Sequence, residues 1–272
     1  MNRRPAVAGL FYPDDPIELR TMVDHYINDA ETEAKVPKAI IAPHAGYIYS
    51  GPIAASAYAR LKQARDSITR VVLIGPSHRV AFRGLAVTRT DYYTTPLGNV
   101  VIDRTAVEAL IKLPFVEYIE QAHTHEHSLE VHLPFLQETL ADFKLVPIVA
   151  GDASPDQVSR ALDLVWGGPE TLIVISSDLS HYHDYSTAKK LDQQTSTLIE
   201  QMQYEKLSSE DACGKVPVSG LLKLLRQKSM RIKAVDLRNS GDTAGDKDRV
   251  VGYGATAEQF SIILHYELMK YN

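Results

Sequence analysis

The 272-residue chain has a single cysteine, Cys213, and lacks long apolar runs. One cysteine cannot form an internal disulfide, which is typical of a protein from a reducing compartment. Residues 1–14 include arginines but no extended apolar segment, so they do not resemble a secretory signal. No stretch offers the roughly 20 apolar residues that a transmembrane helix needs. The sequence therefore predicts a cytoplasmic protein without a membrane partner.

Basic residues are also in the minority. The chain has 29 Lys and Arg against 34 Asp and Glu, a formal net charge of −5. This balance excludes a strongly basic face, so nucleic acid is not an expected partner. The hydrophobic fraction of 44% is ordinary for a globular protein and supports a core without disulfides. Because no linker or repeat interrupts the chain, residues 1–272 are predicted to form one domain.

Short apolar runs alternate with segments of helical periodicity. The predicted strands are 39–42, 71–74, 85–88, 99–102, 144–149, 172–175, 232–237 and 250–255, and we expect 85–88 to pair with 99–102. The predicted helices are 52–62, 105–112, 129–141, 154–166, 188–202 and 220–228, with Pro52 and Pro155 in first turns. Residues from Glu258 onward fit either state. The alternation predicts an α/β fold, a mostly parallel mixed sheet with helices on both faces.

Chemically active side chains follow three of these strands. His44 comes after 39–42, and His78 comes after 71–74. Asp178 and His181 come after 172–175. Ligands of open α/β sheets bind beyond the carboxyl ends of the strands. We therefore expect these side chains to meet in one pocket.

A histidine-rich segment, 123–132, precedes a predicted helix. It lacks the zinc-protease spacing, because Leu129 stands where a second histidine would be needed after His125 and Glu126. Within the segment, Glu126 and His127 are interpreted as pocket residues.

Neutral imidazole is a good ligand for iron, copper, zinc and nickel, so His44, His78 and His181 are candidate metal ligands. The alternative is that they cap strand ends and bind loop carbonyl groups. For Cys213, the sequence favours a buried unreactive thiol over a ligand or nucleophile.

Taken together, several segments resemble the Memo family, whose bacterial members are called AmmeMemoRadiSam system protein B. The resemblance runs from near residue 4 to near residue 255. The matching segments are Arg4-Pro5-Ala6-Val7-Ala8-Gly9-Leu10-Phe11-Tyr12-Pro13, Ala42-Pro43-His44-Ala45-Gly46-Tyr47, Gly75-Pro76-Ser77-His78, Glu126-His127-Ser128-Leu129-Glu130-Val131-His132-Leu133-Pro134-Phe135, Ser176-Ser177-Asp178-Leu179-Ser180-His181, Cys213-Gly214-Lys215 and Ser240-Gly241-Asp242.

The resemblance implies a fold like that of class III extradiol dioxygenases, which hold Fe(II) with two histidines and a carboxylate. His44 and His78 match the two histidine ligands. Animal members have a cysteine as third ligand, and an ungapped comparison places Thr243 there. The adjacent Asp242 is therefore the expected third ligand. Fe(II) is the first expectation for the ion and copper the second.

The resemblance also implies that Asp178, His181 and His127 are the acid–base residues of the pocket. The leading hypothesis is a metal-dependent redox protein or oxygenase acting on an unknown small molecule. The alternatives are a non-catalytic scaffold that kept this fold, and an accessory subunit. The bacterial family name implies a radical SAM protein and an AMMECR-like protein as partners of such a subunit.

Overall fold

Strands and helices alternate along the chain, as the apolar periodicity predicts. The computed structural model describes residues 2–30 and 35–259. Its strands are β1 (Asn2–Arg3), β2 (Ala39–Ala42), β3 (Arg70–Pro76), β4 (Leu85–Val87), β5 (Tyr92–Thr95), β6 (Gly98–Ile102), β7 (Val116–Tyr118), β8 (Lys144–Ala150), β9 (Thr171–Ser176), β10 (His181–His183), β11 (Arg231–Asn239) and β12 (Val250–Gln259). Its α-helices are α1 (Pro16–Asp29), α2 (Tyr47–Tyr58), α3 (Arg104–Leu110), α4 (Glu120–Thr124), α5 (His127–Glu130), α6 (Leu133–Thr139), α7 (Pro155–Leu164), α8 (Tyr185–Glu200) and α9 (Lys215–Gln227). Three 3-10 helices are Ala59–Ala64, Tyr204–Lys206 and Ser240–Asp242.

The strands of the described residues form one mixed sheet. Five neighbouring strands in its centre, in the order β6-β8-β3-β9-β2, run parallel. β12 pairs antiparallel with β2 and continues the sheet to β10 and β11. Ile175 of β9 lies opposite both Ile74 of β3 and Ile41 of β2. The carboxyl ends of these three strands therefore meet at one edge.

Both faces of the central sheet are covered. Every residue of β2 and β9 is buried, and so is every residue of β3 after Arg70. Because successive side chains of a strand point to opposite faces, this uniform burial means that protein packs on each side. The predicted α/β fold is thus confirmed.

Helix α7 begins with the capping serine and the first-turn proline that the sequence predicts. The Ser154 hydroxyl accepts a hydrogen bond from the Gln157 N–H, and the Gln157 side chain accepts one from the Ser154 N–H. Pro155 occupies the first helical position, where its missing N–H costs nothing.

Several helices differ from their predicted bounds: α8 and α9 begin three and five residues earlier than predicted, and two other differences have a local cause. Helix α2 begins at Tyr47, five residues before Pro52, because Gly46 starts the helix and the Tyr47 N–H donates to the Phe11 carbonyl at 2.7 Å. Pro52 therefore lies in the helix interior, where it removes one backbone hydrogen bond. The predicted helix 129–141 is two helices, α5 and α6. Pro134 stands in the first turn of α6 and has no N–H with which to extend α5.

The predicted pairing of residues 85–88 with 99–102 is wrong. β4 pairs with β7 and β8, whereas β6 forms a hairpin with β5 and a parallel pair with β8. The sequence-based assignment missed β5, a Tyr-Tyr-Thr-Thr strand that pairs locally with β6 through a tight turn. A strand that is close in sequence pairs readily, because closing a short loop costs little conformational entropy.

Glu130 anchors the N-terminal segment. Its side chain is fully buried and forms an ion pair with the Arg3 guanidinium. Its carboxylate also accepts hydrogen bonds from the N–H groups of Ala6 at 2.7 Å and Val7 at 3.0 Å, and from the Tyr12 hydroxyl at 2.6 Å. Because every partner lies in residues 3–12, one carboxylate fixes that whole segment against α5.

The prediction for residues from Glu258 onward falls almost entirely outside the described residues. Within residues 2–30 and 35–259, no helix is long and apolar enough to cross a membrane.

Candidate metal centre

Three imidazole rings pack against one another at the carboxyl edge of the sheet. The ring centres of His44 and His78 lie 5.1 Å apart, and those of His44 and His127 lie 5.5 Å apart. His78 and His127 stack at 4.6 Å with an interplanar angle of 21°. His44 follows β2 and His78 follows β3, while His127 is the first residue of α5. The structure therefore brings these sequence-predicted residues together.

His44 is held on both sides. Its backbone N–H donates to Asp178 Oδ1 at 2.7 Å, and its Nδ1 lies 2.6 Å from the Ser176 hydroxyl. Only 2% of the residue is exposed. Burial, reinforced by the neighbouring His78 and His127, holds the pKa of His44 well below its usual value. His44 is thus a neutral imidazole at neutral pH, the form that binds metals.

His78 is held by Glu126. Its Nδ1 lies 2.8 Å from Glu126 Oε1, and its backbone N–H donates to Oε2 at 2.6 Å. Burial by itself would raise the pKa of Glu126, but the hydrogen bonds and charge of His78 lower it to about 2. Glu126 is therefore an ionised carboxylate throughout the physiological pH range.

Cys213 completes a group of three donors. Its Sγ lies 3.4 Å from His44 Nε2 and accepts a hydrogen bond from the Asp178 N–H at 3.3 Å. One ligand atom from each of His44, His78 and Cys213 lies within 4.8 Å of the others. Burial, with the nearby Asp178 charge, raises the pKa of the Cys213 thiol. A cation would therefore have to displace a proton on binding there.

The position of Cys213 depends on the glycine beside it. Gly214 precedes α9, and a Cβ there would overlap the Ser176 carbonyl and the Ser177 side chain. Its N–H donates to the Ser177 hydroxyl at 3.0 Å. Because Gly214 has no side chain, Cys213 and Gly214 can pack closely against the end of β9.

Asp178 and His181, expected acid–base residues, lie beside the three donors. Asp178 Oδ2 is 3.9 Å from His44 Nε2, and burial raises the pKa of this carboxyl group. His181 begins β10 and is half-buried, close enough that its charge would lower the pKa of His44. Burial also lowers the pKa of His127. No group in the described residues makes a hydrogen bond with the buried His127 Nδ1.

Asp242, the expected third ligand, is engaged elsewhere. Its Oδ1 accepts a hydrogen bond from the Tyr185 hydroxyl at 2.6 Å, and its Oδ2 accepts one from the Asn239 N–H at 3.0 Å. These bonds close the 3-10 turn Ser240–Asp242. The adjacent Thr243 donates its hydroxyl to the Tyr49 carbonyl at 2.9 Å. The three-donor group that the structure forms around His44 contains Cys213 in place of Asp242.

The fold and this site define a class of protein: an α/β protein that gathers two histidines and a cysteine at the carboxyl edge of its sheet. The sequence profile of the family described as Memo-like protein matches residues 3–257. This chain belongs to the Memo family.

Two MEMO1 family relatives support that assignment along nearly the whole chain. A MEMO1 family protein of Aquifex aeolicus is 39% identical over 262 residues, covering 92% of this chain and 97% of the relative. A MEMO1 family protein of Thermotoga maritima is 38% identical, covering 93% and 98%. Among solved structures, the uncharacterized protein JW3007 from Escherichia coli K12 is 14% identical, with a TM-score of 0.47 over 80% of this chain and 98% of that one.

Proposed function

We propose that this protein binds one redox-active transition-metal ion through His44, His78 and Cys213 and uses it in redox chemistry on a small molecule. The observation that carries the proposal is the convergence of three donor atoms within 4.8 Å, contributed by three separate segments of the chain. Convergence of this kind is not needed for packing, because apolar side chains would fill the same space at lower cost.

The donor set fits iron or copper. Two neutral imidazoles suit either ion, and a thiolate in place of the expected carboxylate makes the set softer. A thiolate therefore favours the binding of copper more than the carboxylate of Asp242 would have done. A bound ion of either kind would supply one-electron redox chemistry and coordination positions for a small molecule.

The chain's own residues supply proton handling beside these donors. Asp178 has a raised pKa, so it can hold a proton closer to neutral pH than an ordinary carboxyl group. His127 is neutral and offers a buried nitrogen without a hydrogen-bond partner among the described residues. Asp178 also orients the cluster, since it binds the His44 N–H through its carboxylate and Cys213 Sγ through its own N–H.

The test is metal content after anaerobic purification, measured by elemental mass spectrometry on the wild type, His44→Ala and His25→Ala. His25 lies on α1 with its side chain 66% exposed and serves as the matched control. We expect near-stoichiometric iron or copper in the wild type and in His25→Ala, and little in His44→Ala. Equal metal content in all three proteins would contradict the proposal. If reconstitution with Fe(II) and with Cu(I) leaves the wild type empty, the scaffold hypothesis takes its place.

A further inference from the structure

The hydroxyl of Ser176 has one proton, and the neighbouring atoms determine which of them accepts it in a hydrogen bond. Ser176 Oγ lies 2.6 Å from the Ser128 carbonyl oxygen, which can only accept. The hydroxyl proton therefore points to Ser128. The 2.6 Å contact between Ser176 Oγ and His44 Nδ1 must then be donated by the imidazole. His44 consequently has its proton on Nδ1 and a free lone pair on Nε2, the atom that faces Cys213 Sγ.

The same reasoning applies to His78. Both oxygens of Glu126 accept backbone N–H groups, Oε1 that of Ser128 and Oε2 that of His78, so the 2.8 Å contact between Glu126 Oε1 and His78 Nδ1 is donated by the imidazole. In the neutral imidazole of His78, Nε2 is then the nitrogen with a free lone pair. Both metal-ligand histidines are therefore fixed in the same tautomer, one by a serine and the other by a glutamate.

Ser128 connects the two supports. Its carbonyl accepts the Ser176 hydroxyl, while its N–H donates to Glu126 Oε1 at 2.9 Å. Its own hydroxyl donates to the Pro76 carbonyl at 2.8 Å, two residues before His78. A single residue at the start of α5 thus orients the groups that orient both histidines.

We infer that Ser176 and Glu126 are positioning residues, which hold His44 and His78 as Nδ1–H tautomers so that both present Nε2 to one ion, with Ser128 as their common support. The inference rests on the proposed function for the identity of the ligands. It goes beyond it by assigning the donor atoms and the residues that select them. Hydrogen bonds to the second nitrogen of a metal-ligand histidine fix its tautomer and orientation, and their loss weakens metal affinity about 10–100-fold.

The first experiment reads the tautomers without any metal. In chelator-treated protein labelled with ¹⁵N-histidine, long-range ¹H–¹⁵N correlation at neutral pH identifies which ring nitrogen is protonated. The wild type is expected to show His44 and His78 with protonated Nδ1. In Ser176→Ala, the His44 signals should move to the other tautomer or to a mixture, whereas the His78 signals should stay. An Nε2–H tautomer for either histidine in the wild type would overturn the inference, as would an unchanged His44 in Ser176→Ala.

The control is Ser180→Ala. Ser180 is also a buried serine near the end of β9, but its hydroxyl forms no hydrogen bond with either histidine. This variant should keep both tautomers. If it disturbs them as strongly as Ser176→Ala does, general loosening of the strand end explains the effect and the inference fails. The conservative variant Ser176→Thr, which retains the hydroxyl, should restore the Nδ1–H signal of His44.

The second experiment measures affinity for Cu(I) and for Fe(II) by competition with a chelator. Ser176→Ala and Glu126→Gln should each weaken binding about 10-fold or more, and Ser180→Ala should not. The two experiments separate the two proposals. Expected tautomers with no metal binding by the wild type would defeat the proposed function alone. Metal binding with mixed tautomers, or with full affinity in Ser176→Ala, would defeat the positioning role alone.

Discussion

Cys213 Sγ lies 3.4 Å from His44 Nε2, although the two residues are 169 positions apart in the chain. The contact assembles a two-histidine, one-cysteine group at the place where the sequence predicted two histidines and a carboxylate. The third ligand therefore has two candidates, Cys213 and Asp242, which an experiment can distinguish.

The first prediction compares those candidates. Cys213→Ser should reduce bound iron or copper at least tenfold, because a serine hydroxyl does not replace a thiolate toward these ions. Asp242→Asn should leave metal content unchanged, since the carboxylate is bonded to Tyr185 and Asn239. Elemental mass spectrometry measures both, and circular dichroism checks that each variant is folded. Loss of metal in Asp242→Asn with retention in Cys213→Ser would restore the original expectation.

The second prediction concerns acid stability. His123 is buried, with its Nδ1 2.6 Å from the Tyr93 hydroxyl, and burial lowers its pKa to about 3. The unfolded chain therefore binds a proton at this residue between pH 6.5 and about 3 that the folded protein does not. The neutral His123 makes its full contribution to the free energy of unfolding above pH 6.5. This contribution falls by about 1.4 kcal/mol per pH unit as the pH decreases through this window.

The measurement is the free energy of unfolding by urea at a series of pH values. Between pH 6.5 and 4.5, the free energy of unfolding of His123→Gln should fall with decreasing pH less steeply than that of the wild type. The difference between the two slopes should correspond to about one bound proton. His25→Gln, which changes an exposed histidine, should follow the wild-type slope. Identical slopes for all three proteins would contradict the assignment.

The third prediction concerns Glu130. Replacement by Gln removes the charge that Arg3 faces and leaves a buried guanidinium without an ionic partner. Glu130→Gln should destabilise the protein by about 3 kcal/mol. Glu138→Gln is the comparison, because Glu138 pairs with an exposed Arg20 at 3.0 Å and its loss should cost less than about 1 kcal/mol. Urea midpoints measure both, and similar small shifts would show that the buried pair contributes little.

The fourth prediction concerns Tyr182, which follows His181 in β10. Its φ of 62° is in the left-handed region, and the residue is 64% exposed. The strand register shifts between His181 and His183, so Tyr182 is the bulged residue. Because glycine adopts this backbone conformation without strain, Tyr182→Gly should raise stability by about 1 kcal/mol.

Tyr118 of β7 offers the matched control for this substitution. Both tyrosines lie in short strands with an arginine over the ring, Arg249 at 5.1 Å for Tyr182 and Arg89 at 3.9 Å for Tyr118. Tyr118 does not have a positive φ, so Tyr118→Gly should lower the melting temperature. Destabilisation of both variants would mean that the Tyr182 ring contributes more than its backbone strain costs.

Local patterns predicted much of the fold correctly. The Ser154-Pro155 start of α7 acts within one turn, and the apolar strands β2, β3 and β9 appear where four-residue apolar runs were predicted to form strands. The start of α2 was predicted less well, because the contact between the Tyr47 N–H and the Phe11 carbonyl is invisible to periodicity. The pairing of β6 was also wrong, since short polar strands such as β5 give a weak apolar signal.

By itself, the sequence determined that this is an α/β protein and that His44, His78 and Asp178 come to one sheet edge. Parallel strands necessarily bring their carboxyl ends together, and the residues that follow each strand go with them. Only the tertiary structure decided that Cys213 joins the histidines, that Asp242 closes a turn instead, and that Ser128 supports both imidazoles. These relationships depend on distances between segments far apart in the chain, which packing of the whole core fixes and no local spacing encodes.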